Sequence, residues 1–375
     1  MVKPFVKWPG GKSTELKMIH QYMPQTMNHY IEPFLGGGAC FLSLKKEMYE
    51  QAYVNDFSSE LISLYILIRD RNELFYQYLQ EMWEVWTFFG VLANEYYETL
   101  LHFYKKYKTN EVDKDELKLV IYEFIRNRKD EMRSGVHQNL NINFERLVED
   151  LNRSINSKFV NMKNNELRKG NMPEKDYRKN FEASIRASVY TYYRYLYNER
   201  LKYNLNKELH TALFFFLREF CYSSMFRYNK SGHFNVPYGG ASYNSKAFHH
   251  KIEYIWKDEL QEALSNTHIF NLDFENFLRR IPIREEDFIF LDPPYDSDFS
   301  TYANQSFANK DQERLANYLV YECKCRFMLV IKNTDFIFNL YNQPGIDIIG
   351  FNKQYNVSFM DRNNRKVEHI VIKNY

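Results

Sequence analysis

The apolar run Asp287–Leu291 (DFIFL) stops at Asp292-Pro293-Pro294-Tyr295. A run of strand length with no alternating polar positions needs cover on both faces, which is the environment of a parallel strand between helices. The prolines that follow cannot join a hydrogen-bonded ladder, so the strand must end there and the chain must turn. An acidic side chain is thereby left at a strand's carboxyl end, the edge at which open α/β sheets bind their ligands. Other segments build the same kind of sheet. His29–Pro33 reads as a short buried strand running into the glycine turn Phe34-Leu35-Gly36-Gly37-Gly38, with an apolar helical run over Cys40–Leu44. Gln51–Asn55 reads as a second strand ending at Asp56, after which Ser58 caps a helix expected to run to about Leu79. Further strands are expected at His268–Leu272 and Arg326–Ile331, with Glu368–Ile372 as a closing strand. The alternation predicts an α/β fold with a mostly parallel, doubly wound sheet.

Between these blocks the pattern changes. From about Glu81 to His210 the chain is a succession of Tyr-, Lys- and Asn-rich helical segments, among them Leu117–Arg128 and Phe181–Tyr203, with the polar stretch Asn161–Pro173 as a separator. The expected division is a catalytic domain made of residues 1–80 and 255–375, interrupted by a mainly helical insert over 81–254. The chain's net charge is only +2, yet residues 101–210 carry 13 Lys and 10 Arg against 16 Asp and Glu. Residues 211–251 add five basic residues against Glu219 alone. A basic middle grafted on an acidic body points to a polyanion, since phosphate neutralisation drives nucleic-acid affinity. The tyrosines mixed with Lys, Arg and Asn suit a polar contact surface.

Some classes fall away. Cys40, Cys221, Cys323 and Cys325 show no CxxC spacing and no paired histidines nearby, which predicts neither a metal site nor a disulfide framework. No stretch reaches the length of a membrane span, so a soluble protein of the reducing cytoplasm is expected. Pro9-Gly10-Gly11-Lys12-Ser13 is not a P-loop, because GxxxxGK[ST] would need glycine at Val6. It reads as a glycine turn carrying Lys12 toward an anion, for which a carboxylate would serve. The FLGGG turn has Phe41 where a dinucleotide fingerprint needs its third glycine, which disfavours a Rossmann dehydrogenase. Asp56, at the end of the next strand, matches the acidic residue that accepts hydrogen bonds from a ribose.

The DPPY tetrapeptide carries its own chemistry. Methylating an exocyclic amine requires holding its N–H groups against delocalisation of the nitrogen lone pair into the ring. The carboxylate of Asp292 and the carbonyl of Pro293 are suitable acceptors, Pro294 keeps the turn free of competing N–H groups, and Tyr295 offers a face for stacking.

Taken in order, FVKWPGGK at residues 5–12, the FLGGG turn, Asn55-Asp56 and Asp292-Pro293-Pro294-Tyr295 resemble the Dam-like, class-alpha DNA adenine N6-methyltransferases. The resemblance covers about residues 1–80 and 211–375, including RYNKSG at 227–232, FNVPYG at 234–239 and TYANQSF at 301–307. It implies a Rossmann-like methyltransferase sheet with an inserted, mainly helical target-recognition domain, and an S-adenosylmethionine-dependent enzyme that flips an adenine out of double-stranded DNA and methylates N6. By the same likeness Trp8 and Lys12 line the methionine end of the cofactor. Phe34, Gly36 and Gly38 pass along it, Asp56 holds its ribose, Asp273 and Phe274 flank its adenine, and Asp292 lies between cofactor and target. Arg227, Tyr228 and Asn229 would sit on a recognition hairpin, with Lys230 near phosphate, Asn235 and Pro237 close to bases, and Asn304 and Ser306 near the flipped nucleotide. Arginine pairs with guanine and asparagine with adenine, so the hairpin is chemically apt. The resemblance further implies a restriction-modification or phage-protection setting, with a cognate restriction endonuclease as partner and a monomeric enzyme.

The middle departs from the family pattern: about 130 residues precede the hairpin, and Ser223-Ser224-Met225 stands where readers of GATC have an Asn-Gly turn. A longer or asymmetric site is therefore expected. Cytosine N4 methylation remains an alternative, because the same acceptors serve any exocyclic amine. RNA or protein glutamine methylation and an inactive DNA-binding relic of the fold are the others.

Overall fold

Seven strands form one sheet in the computed structural model, which describes residues 2–294, 307–354 and 366–375. They are β1 (His29–Glu32), β2 (Gln51–Asn55), β3 (Thr267–Phe270), β4 (Phe288–Leu291), β5 (Arg326–Lys332), β6 (Asp347–Gln354) and β7 (Lys366–Lys373). Their order across the sheet is β3-β2-β1-β4-β5-β7-β6. All neighbours are parallel except that β7 runs antiparallel to both β5 and β6. Every residue of β1 and β4 is buried, as expected of strands covered on both faces. The apolar packing joins Ile31, Phe277, Ile289, Phe327, Leu329 and Ile370.

This order fixes where a ligand can sit. The chain winds outward from β1 to β3, then returns to lay β4 against β1, with Ile31 opposite Ile289. The crevice between the carboxyl ends of β1 and β4 is thus the topological switch point of the sheet. At the other end of the same pair, the buried Asp287 carboxylate accepts bonds from the backbone N–H of His29 (3.0 Å) and Arg284 (2.7 Å) and from the Asn28 amide (3.2 Å). That staple holds β1 and β4 in register from below.

The chain divides into two compact units, residues 1–70 with 255–375, and residues 71–254. The second is built of helices, including Glu73–Glu95, Phe144–Lys169, Glu174–Asn198 and Lys207–Phe220. Its tyrosines correct the expectation of a polar contact surface. Tyr97, Tyr104, Tyr190, Tyr192 and Tyr193 are fully buried. Tyr190 donates to the carbonyl of Val236 (2.9 Å), Tyr192 to Leu140 (2.6 Å) and Tyr193 to Met82 (3.3 Å). A buried phenol with a backbone acceptor packs as a core aromatic without an unsatisfied hydroxyl.

Three boundaries also differ from expectation. Cys40–Leu44 forms only a 3₁₀ turn over Phe41–Ser43. The helix begun at Ser58 ends at Arg69; Arg71 takes a left-handed φ of +46°, and Asn72 caps a new helix by accepting from the N–H of Phe75. Only the end of Asn161–Pro173 separates helices: the helix Phe144–Lys169 runs through most of it and stops at Gly170, whose φ is +84°, and the next begins at Glu174. Strand β6 carries no signal that the sequence reading identified.

Candidate active site

The glycine turn leaving β1 is shaped by what presses on it. Gly36 and Gly38 have φ of +51° and +67°, a region that side chains rarely adopt. A Cβ on Gly38 would overlap the Tyr65 hydroxyl oxygen, and one on Gly36 would lie 2.9 Å from Cδ1 of Trp8, whose ring rests against the turn. The N–H of Gly36 donates to Oδ2 of Asp56 (2.8 Å) and the N–H of Ser58 to Oδ1 (2.9 Å). Burial raises the Asp56 carboxyl pKa, and the N–H groups of Ser58, Gly36 and Phe57 counter that shift by favouring the anion. Asn55 braces the ends of three strands: its amide donates to the carbonyls of Pro33 and Leu272, each at 3.0 Å, and accepts from the N–H of Leu272 at 2.9 Å.

At the carboxyl end of β4, Lys12 meets the anion its turn was expected to approach, and that anion belongs to the chain itself. Its Nζ lies 2.6 Å from Oδ1 of Asp292 and 3.9 Å from Glu15. Lys12 is buried, whereas Asp292 keeps 19% of its side chain exposed. Glu32, the last residue of β1, is buried beside them and accepts from the Tyr30 hydroxyl at 2.9 Å. Burial pushes its carboxyl well above the usual carboxylate range; the Tyr30 bond opposes this, while the charges of Asp292 and Asp56 reinforce it.

Beside β3 lies a set of rings. Phe34 is 5.5 Å from both Phe274 and Phe307, and Phe274 is 5.7 Å from Phe307. Phe307 stands at the end of a longer motif and its partners come from separate loops, so no local spacing signals the cluster. Asp273 caps the helix Phe274–Arg280 by accepting from Glu275 N–H (3.1 Å), and it pairs with Arg314 at 2.8 Å. Arg314 also binds Glu275 and Asp311, each at 2.9 Å. Tyr295, Asn304 and Ser306 lie outside the described residues.

In the second unit, Arg227–Pro237 forms a hairpin with an antiparallel bridge between Tyr228 and Phe234. Asn229 is its turn former, since its side chain accepts from the N–H groups of Ser231 (3.0 Å) and His233 (2.9 Å). Arg227 and Lys230 are exposed, and Arg227 Nε reaches Asn235 Oδ1 at 3.3 Å. Pro237 is exposed, and its carbonyl accepts from Tyr222 N–H. Tyr228 bonds hydroxyl to hydroxyl with Tyr197 at 2.9 Å.

The hairpin's floor is one face of the helix Glu174–Asn198, which was expected as a helix but without this role. Tyr190 and Arg194 both donate to the carbonyl of Val236, and Asn198 pairs with both backbone groups of Phe234, donating at 3.0 Å and accepting at 2.8 Å. Positions 190, 194, 197 and 198 follow helical spacing, and that polar stripe was the available signal.

Among the described residues no group of His, Cys, Asp and Glu could hold a metal ion, and no helix is long and apolar enough to cross a membrane.

Comparison with known proteins agrees with this geometry. A family model described as D12 class N6 adenine-specific DNA methyltransferase matches residues 8–357. The chain is 26% identical over 378 residues to the Type II methyltransferase M.CviBI of Paramecium bursaria Chlorella virus NC1A, covering 100% of both chains. It is 24% identical over 388 residues to the Type II methyltransferase M.MjaIII of Methanocaldococcus jannaschii, covering 100% of this chain and 99% of that one. Similarity to a DNA adenine methylase of Vibrio cholerae serotype O1 is 21% over 377 residues, with 98% and 95% covered. The end-to-end match to the viral relative takes in the helical insert.

Proposed function

Because the chain belongs to the D12 class N6 adenine-specific DNA methyltransferases, and so methylates adenine in DNA, we propose that S-adenosylmethionine is its methyl donor and an adenine flipped from duplex DNA its target. The observation that carries this reading is the Asp292 carboxylate held by Lys12 at the carboxyl end of β4, next to the glycine turn of β1.

The residues at the switch point fit such a donor. A turn that excludes a Cβ at Gly36 and Gly38 can let backbone approach a nucleoside. The N–H groups of Gly36, Ser58 and Phe57 hold the Asp56 carboxylate, whose two oxygens have about four acceptor positions, so capacity remains for a ribose hydroxyl. The rings of Phe34, Phe274 and Phe307 offer apolar faces to its adenine, and the Asp273 carboxylate, already bound by Arg314, serves that site by capping the helix that presents Phe274. Trp8 would close the methionine end. When bound, S-adenosylmethionine supplies an activated methyl group on a sulfonium centre.

The chain's own part is orientation. Asp292 and the Pro293 carbonyl accept the N–H groups of the target amine, which turns its lone pair toward the methyl and stabilises the charge that builds on N6. Lys12 fixes the carboxylate so that no reorganisation is needed at the moment of transfer. Tyr295 would stack on the extruded base, offsetting the cost of unstacking. Arg227 and Asn235 would read base edges, Lys230 would bind phosphate, and Asn229 would hold the turn that presents them. Asn304 and Ser306 would contact the flipped nucleotide.

Cytosine N4 as the target loses ground, since the family description and the methylase relative both name adenine. The Type II names of the viral and archaeal relatives support a restriction-modification setting with a cognate endonuclease; action as a cytoplasmic monomer is part of the same proposal. The test is modification-aware sequencing of DNA from a methylation-deficient bacterial host expressing the protein or its Asp292→Ala variant. N6-methyladenine at one motif, found only with the unaltered protein, is the expected result. Equal modification by the variant would overturn the role of Asp292.

A further inference from the structure

A turn made of two prolines has no N–H groups with which to tie itself down, so it must be anchored through its oxygens. One anchor of the catalytic turn is Lys12 on Asp292. A second is Gln312, in the helix Asn309–Asn317, whose Nε2 donates to the carbonyl of Pro294 at 2.9 Å. Gln312 is fully buried, and its Oε1 has no hydrogen-bonding partner among the described residues. A core amide whose only bond among the described residues is to the catalytic turn is a poor choice for packing alone, where Met or Leu would carry no desolvation cost.

We propose that Gln312 is a positioning residue for methyl transfer, holding the Asp-Pro-Pro turn so that the Asp292 carboxylate and the Pro293 carbonyl converge on one amine. Its leverage is torsional. The proline rings fix φ at residues 293 and 294, which leaves ψ as the turn's main freedom. A donor on the Pro294 carbonyl holds the far end of the turn as Lys12 holds the near end, which restrains ψ of Pro293 and with it the direction of the Pro293 carbonyl. The same helix carries Arg314, bound to Asp273 and Glu275, so its position is set independently of the turn it holds. The inference rests on the reading of Asp292 given above.

The test compares Gln312→Glu and Gln312→Met with the unaltered enzyme and with Asp292→Ala. It measures single-turnover methylation of duplex DNA per folded molecule, S-adenosylmethionine affinity by equilibrium binding, and thermal unfolding. Both Gln312 variants approximate the side-chain length; Gln312→Met removes the donor at every pH, whereas Gln312→Glu removes it only once its carboxyl, whose pKa burial raises, is ionised. The expected result for Gln312→Met is a loss of about 10-fold or more in the rate of transfer, with cofactor affinity within about twofold, because orientation and not binding is impaired. Gln312→Glu should regain rate relative to Gln312→Met as pH is lowered, since only a protonated carboxyl can donate to the Pro294 carbonyl; a purely structural role would not produce that divergence. Normal turnover per folded molecule in both variants, with Asp292→Ala inactive, would overturn the inference alone. A fully active Asp292→Ala would overturn the underlying reading and this inference with it.

Discussion

Lys12 Nζ lies 2.6 Å from Asp292 Oδ1, joining a turn near the start of the chain to the end of the fourth strand. The lysine is buried and the aspartate partly open, so the pair is asymmetric: the cation serves the carboxylate, and the carboxylate faces the crevice. Removing the cation leaves a half-buried anion without its counter-charge, which typically costs about 3–5 kcal/mol when the pair is well buried and less when one partner is wet. Lys12→Met is therefore expected to lower kcat/KM by about 100-fold or more, in the range seen for loss of one preorganised electrostatic group. Steady-state kinetics on duplex DNA checks this, and a variant within a few-fold of the unaltered enzyme would show that Asp292 needs no fixed counter-ion.

Gly38 tests the cofactor end separately. Its φ of +67° and the overlap that any Cβ would make with the Tyr65 hydroxyl both oppose a side chain. Because Tyr65 is fully buried, it has little room to retreat. Gly38→Ala should destabilise the first unit by about 1–3 kcal/mol from strain and overpacking. It should also weaken S-adenosylmethionine binding, as measured by calorimetry, while Tyr65→Phe in the same background restores part of both by removing the clashing oxygen.

The hairpin gives a prediction of a different kind. Asn198 acts as a substitute strand for Phe234, satisfying both its N–H and its C=O. Asn198→Ala leaves both groups unpaired, at a cost of about 1–3 kcal/mol for each that stays buried. Duplex binding is expected to weaken and preference among DNA sequences to relax, whereas cofactor affinity stays unchanged. Gel-shift measurements over a panel of duplexes, alongside cofactor titration, would distinguish this from general unfolding, which lowers both.

How much of this could be read in advance depends on the range of the interactions involved. The strands β1 and β4 were legible because burial on both faces writes itself into consecutive residues, and Asp292 because two prolines allow no other reading of a strand end. The helix break at Arg71 turns on one left-handed residue and one cap, signals too small to stand against a long apolar period. Lys12 was identified as reaching an anion, but that the anion is Asp292 depends on strand order, which no local pattern contains. The same holds for Gln312 and the ring of Phe307, each of which meets its partners only after the chain has crossed the sheet. The tyrosines of the insert misled for a reason of chemistry: a phenol with a carbonyl to bond to is as good a core residue as phenylalanine.

His210 supplies a pH dependence whose sign can be worked out. Its ring stacks on Tyr197 at 4.6 Å with planes 5° apart, and burial, aided by the charge of Arg200, lowers its pKa to about 4. In the unfolded chain the same group titrates near about 6.5. Between those values the unfolded state binds a proton that the folded state refuses, so stability falls as the medium is acidified through that window and is undiminished above it. The full depression corresponds to about 3 kcal/mol, an upper figure given the pocket's capacity to relax. His210→Phe keeps a ring against Tyr197 and removes the proton site. Urea unfolding of the full chain at a series of pH values should therefore show a shallower acid-side slope for the variant than for the unaltered protein. Identical slopes would mean that the imidazole is hydrated or partnered in the folded state and that the acid sensitivity of the insert arises elsewhere.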